Sequence, residues 1–82
     1  MVYFFQAPQR GMKPGHRLQL GHKIRAFRQK AGYTQERLAE LAGLDYKYLQ
    51  RIEGKNTPNL KIDTIEKLAK ALRIKPAKLL ES

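Results

Sequence analysis

From Leu18 onward, apolar residues recur at helical intervals. Leu20, Ile24, Phe27 and Ala31 are separated by four, three and four positions, which places them on a single stripe. Gly32 suits a left-handed helix stop, so the spacing predicts a first helix over residues 18–31. Thr34 carries the hydroxyl an N-cap needs. Leu38, Ala39, Leu41 and Ala42 supply the buried side of a short second helix, which Gly43 closes. Asp45 is a further N-cap candidate, and a third helix runs from Tyr46 to Glu53, burying Leu49 and Ile52. After a polar loop around Pro58, Asp63 and Glu66 have the spacing of a capping box, with Ile65, Leu68, Ala69 and Leu72 as the apolar face of a fourth helix. Pro76 fits the first position of a last helix reaching Glu81, with Leu79 and Leu80 available for packing. The pattern predicts an all-α fold of five short helices, without strands or repeats. Pro8, Gly11, Pro14 and Gly15 interrupt any period before residue 18. Residues 1–17 therefore read as a flexible basic tail, and residues 18–82 as one domain.

A chain of 82 residues supports one small core and leaves little room for a deep substrate cavity. It contains no Cys, which excludes disulfides, a thiolate nucleophile and cysteine-ligated zinc. No apolar run is long enough to span a membrane, and the apolar start is too short for an export signal, so the expected compartment is the cytoplasm. His16 and His22 lie six apart and do not form a helical metal-binding pair. Gly11 to Gly15 lacks the Lys-Ser/Thr of a phosphate-binding loop. The expectation is a protein without catalysis, metal or cofactor.

Charge adds a direction. Lys and Arg number 17 against 7 Asp and Glu, for a net charge of +10. Residues 1–33 contain Arg10, Lys13, Arg17, Lys23, Arg25, Arg28 and Lys30 and no acidic side chain. Such a balance attracts polyanions, nucleic acid first.

The segment Gln35 to Glu53 gives that attraction a shape. A short helix, a turn at Gly43 and a second short helix would leave one side of the latter uncovered. At ~100° per residue, with Leu49 inward, Lys47 and Arg51 point outward, Gln50 lies to one side and Tyr46 sits at the tip. Arg and Lys match guanine O6 and N7, Gln matches adenine, and Tyr46 can stack or touch a thymine methyl. A helix about 10–12 Å across also fits the B-DNA major groove.

These residues resemble the phage-repressor-like helix-turn-helix family, of the Cro or xenobiotic-response-element type. The resemblance is carried by Ile24-Arg25-x-x-Arg28, Tyr33-Thr34-Gln35, Leu38-Ala39, Gly43, Leu49-x-x-Ile52-Glu53, Leu68-Ala69-Lys70-Ala71-Leu72 and Leu79-Leu80. It covers about residues 20–80. It implies a compact five-helix domain that binds double-stranded DNA and regulates transcription as a homodimer on an inverted repeat. It also implies base-reading roles for Tyr46, Lys47 and Arg51, with Gln50 beside them. Phosphate contacts are implied for Thr34, Gln35, Tyr48, Lys55 and Asn56, and a structural ion pair for Arg28 and Glu53. Glu53-Gly54 lacks one residue that the common family pattern has between them. With the chain ending just after the fifth helix, the dimer contact is expected around Ile74, Leu79 and Leu80. No signature marks a surface for RNA polymerase. The same domain type occurs in antitoxins, which also bind a toxin; Tyr3-Phe4-Phe5, Ile74 or Leu80 would supply the apolar patch which that alternative requires.

Overall fold

A computed structural model describes residues 14–80. Within them lie five helices: α1 Pro14–Lys30, α2 Gln35–Ala42, α3 Tyr46–Glu53, α4 Ile62–Leu72 and α5 Pro76–Leu80. Residues 1–13, including the Tyr3-Phe4-Phe5 cluster, and residues 81–82 lie outside the described residues. α1 packs on α3, α4 and α5, while α2 packs on α3 and α4, and α4 on α5. The apolar stripes meet in one core. Leu20 and Ile24 come from α1, Leu38, Ala39 and Ala42 from α2, and Leu49 and Ile52 from α3. Leu60 precedes α4, which adds Ile65, Leu68, Ala69 and Leu72, and Leu79 closes the core from α5.

Two helices start earlier than their sequence signals. α1 begins at Pro14 rather than Leu18. Proline is suited to a first helical turn, where its missing N–H would have no intrahelical partner. The added turn brings Arg17 to the loop before α4, where its Nη1 donates to Asn59 Oδ1 at 2.9 Å. α4 begins at Ile62 with Lys61 as its N-cap, and no side chain caps it. Asp63 is therefore inside the helix, and the expected capping box does not form. Asp63 instead pairs with Lys67 one turn on, at 3.3 Å, and its charge still favours the helix N-terminus. Asp45 holds the N-cap position of α3 but makes no side-chain cap bond. Leu41, expected on the buried side of α2, is exposed because Leu38 and Ala42 fix the inward direction about one turn apart.

The turn between α2 and α3 follows its chemistry closely. Thr34 Oγ1 accepts from the Arg37 backbone N–H at 3.0 Å and starts α2. Gly43, at φ +70°, ends it. The Gly43 N–H donates to Glu40 O, and the Leu44 N–H to Ala39 O at 2.8 Å, so the released carbonyls are satisfied as the chain reverses.

One buried polar cluster joins three elements. Glu53, at the end of α3, is 7% exposed. Its Oε2 accepts from Arg28 Nε at 2.8 Å, and its Oε1 from Arg28 Nη2 at 2.9 Å. Gln35 Nε2, at the start of α2, donates to the same Oε1 at 3.1 Å. The remaining Arg28 nitrogen, Nη1, donates to the Tyr33 carbonyl at 2.8 Å. A bidentate guanidinium pair of this kind is both stronger and more directional than a lysine contact.

Glu53→Gln keeps the shape and removes the charge. It is expected to cost about 3–5 kcal/mol of stability, because Arg28 would stay buried with its charge uncompensated. Urea denaturation measures the loss, and an unshifted midpoint would show that the pair does not anchor α3. Gly43→Ala is expected to cost about 1–2 kcal/mol, from backbone conformation alone. A methyl there meets no atom within 4 Å, so a thermal melt isolates the φ cost from any clash.

Candidate nucleic-acid interface

α3 has only eight residues, too few to persist as an isolated helix. Packing holds it in place. Leu49 and Ile52 are fully buried against the core, and Tyr48 is half-buried beside them. The opposite side carries no such cover. Tyr46 is 38% exposed, and Lys47, Gln50 and Arg51 are exposed. The four side chains expected to read bases thus share an open side of one short, firmly seated helix. Gln50 Nε2 donates to the Tyr46 hydroxyl at 3.1 Å, which orders two of the four before any ligand arrives.

The local electrostatics favour an anion at this surface. The carboxylate closest in sequence to Arg51 is Glu53, and it is turned inward onto Arg28 and Gln35. Lys55 and Asn56 follow α3 and are exposed. Thr34 is also exposed, although its hydroxyl oxygen already accepts the Arg37 N–H. Gln35 is half-buried, with its amide nitrogen engaged by Glu53. An amide nitrogen has two hydrogens, so this bond leaves one for an external acceptor.

The residues expected at a dimer contact are separated by the fold. Leu79 is 1% exposed and belongs to this chain's own core, so it supplies no surface. Ile74 is half-buried against that core. Leu80, on the other side of α5, is 51% exposed. Helical geometry separates Leu79 from Leu80: adjacent residues on α5 point about 100° apart, and only one can face inward.

Two contacts escaped the linear pattern. Gln35 is a ligand of the buried carboxylate as well as a candidate phosphate contact. Thr57, read as part of a polar loop, is 6% exposed and donates its hydroxyl to the Ile52 carbonyl at 2.9 Å. Nothing in a lone threonine near a proline announces that burial. The signal is its position just beyond a helix whose last carbonyls need donors.

Among the described residues, no helix is long and apolar enough to cross a membrane.

Comparison with known proteins agrees with this geometry. A family model described as helix-turn-helix matches residues 24–79. The control protein C.BamHI of Bacillus amyloliquefaciens is 41% identical over 66 residues, spanning 79% of this chain and 80% of that protein. The crystal structure of the restriction-modification controller protein C.AhdI from Aeromonas hydrophila superposes with a TM-score of 0.75 at 37% identity, covering 79% of this chain and 97% of the other. The master regulator for biofilm formation SinR, solved in complex with DNA, gives a TM-score of 0.72 at 34% identity, covering 76% and 98%; SinR comes from Bacillus subtilis. An uncovered α3 with hydrogen-bonding side chains, seated by a buried ion pair and matched by these regulators, places the chain in the Cro/C1-type helix-turn-helix family of DNA-binding transcriptional regulators.

Proposed function

We propose that this chain regulates transcription as a homodimer on an inverted-repeat operator, with α3 of each copy in a major groove, in the manner of a restriction-modification controller. Its role is binding rather than catalysis. The observation that carries this reading is the two-sidedness of α3: Leu49 and Ile52 are buried, while Tyr46, Lys47, Gln50 and Arg51 are exposed. Arg51 and Lys47 are assigned to guanine edges, Gln50 to adenine, and Tyr46 to stacking or a thymine methyl.

Phosphates are assigned to the edges of this surface. Gln35 offers its second amide hydrogen at the start of α2, where backbone N–H groups and the helix dipole favour an anion. Thr34 lies beside it, and Lys55 and Asn56 flank the other end of α3. Tyr48 is half-buried against the core, so its hydroxyl is the part assigned to the DNA backbone. The dimer contact is assigned to Leu80 with the half-buried Ile74, backed by Leu79 in the core beneath. Two-fold symmetry then sets the spacing between recognition helices at about 34 Å, one turn of duplex.

Selection of bound duplexes from a random pool tests the whole reading. The expected product is an inverted repeat with half-sites one turn apart, and enrichment of no sequence would sink it. On the selected site, Arg51→Ala is expected to lose about 1–3 kcal/mol and to relax the preference at a single position. Uniform weakening on every duplex would reassign Arg51 to a phosphate. Leu80→Glu is expected to shift sedimentation toward the monomer and to abolish cooperative filling of the two half-sites; an unchanged dimer would move the contact elsewhere.

A further inference from the structure

α3 ends against a part of α1 that has no side chain. Gly21 is buried, and a methyl built on it would overlap the backbone carbonyl oxygen of Ile52. The same methyl would stand 2.8 Å from Thr57 Oγ1, closer than real Cβ contacts. The absence of a Cβ at residue 21 therefore lets α1 lie directly on the last turn of α3. That approach shuts water away from the Ile52 carbonyl, one of the four at the end of a helix that lack an intrahelical donor. Thr57 supplies the donor, at 2.9 Å, and its hydroxyl oxygen also lies 3.4 Å from Gly54 O.

We infer that Gly21 and Thr57 are positioning residues for DNA reading: together they clamp the C-terminal turn of α3 and so set where Arg51 and its neighbours meet base edges. This rests on the DNA-reading role proposed for α3. Neither residue lies on the exposed side of α3, and both act through Ile52. The carbonyl they hold is that of Ile52, the residue next to Arg51 in the same helical turn, so a displacement there shifts the backbone that carries the Arg51 side chain. At the N-terminal end of α3, by contrast, Asp45 makes no side-chain cap bond. Hydrogen bonds to base edges depend on donor–acceptor distances near 3 Å, whereas attraction to phosphates survives small displacements. Loosening the clamp should therefore reduce specificity more than general affinity for DNA.

The test compares the full chain with Thr57→Val, Thr57→Ala and Thr57→Ser. Affinity is measured by fluorescence anisotropy for the duplex that the wild type enriches and for a scrambled duplex, with urea curves identifying conditions in which each protein is folded. Without the hydroxyl, in Val and Ala, affinity for the enriched duplex is expected to fall about tenfold, the scale of one base contact. The scrambled duplex should change by less than about twofold, because its binding is largely electrostatic. Thr57→Ser, which keeps the donor, should retain the wild-type ratio. Gly21→Ala should lower the ratio in the same direction.

A folded Val or Ala variant with a wild-type ratio overturns the inference. So does an equal fall on both duplexes, a Ser variant as poor as Ala, or a failure of both hydroxyl-free chains to fold, which would make the role one of stability alone. If the wild type enriches no duplex, the DNA-reading role itself fails. If it enriches one and the variants discriminate as well as it does, only the clamp fails.

Discussion

A carboxylate withdrawn from water must find donors, and Glu53 finds three N–H groups on two other helices. That requirement ties the end of α3 to the last turn of α1 and to the start of α2. It also keeps that carboxylate off the exposed side of α3. A pair in the interior does not automatically stabilise a fold, since desolvation offsets much of the attraction. Here its geometric consequence is clearer: α2 and α3 have eight residues each and could not hold their relative orientation by backbone hydrogen bonds alone. The bidentate contact and the Gln35 amide supply directional restraints that apolar packing lacks.

The same end of α3 is restrained on a second side by the backbone of α1 at Gly21 and the hydroxyl of Thr57. Arg28 and Gly21 both belong to α1, so one helix carries two of the contacts that seat α3. The core below them uses Leu49 and Ile52, both without exposure. What remains outside is the row of exposed side chains Tyr46, Lys47, Gln50 and Arg51.

Net charge and specificity are separate properties of this molecule. The +10 balance draws the chain toward any polyanion, and the distribution of basic residues over both halves leaves that attraction broad. Selectivity needs a few side chains held at fixed positions. The bond from Gln50 to the Tyr46 hydroxyl illustrates such ordering within the exposed row, because it limits two flexible groups before binding.

Periodicity was enough to identify five helices, most of the core and the open side of α3, because these follow from the 3.6-residue repeat and from Leu49 and Ile52 lying three apart. Thr34 and Gly43 were equally legible, since caps and left-handed turns are chosen by local backbone chemistry. The Arg28–Glu53 pair came from family resemblance, as nothing in the spacing of two residues 25 apart requires them to meet. Other features needed the folded chain. Pro14 starts a helix, α4 begins before its apparent cap, Leu79 is core while Leu80 is surface, and Gln35 and Thr57 turn toward α3. Each depends on which neighbour lies opposite, and that is settled when distant segments pack: local spacing specifies a helix and its stripe, but only the assembled core specifies the partner that each polar atom finds.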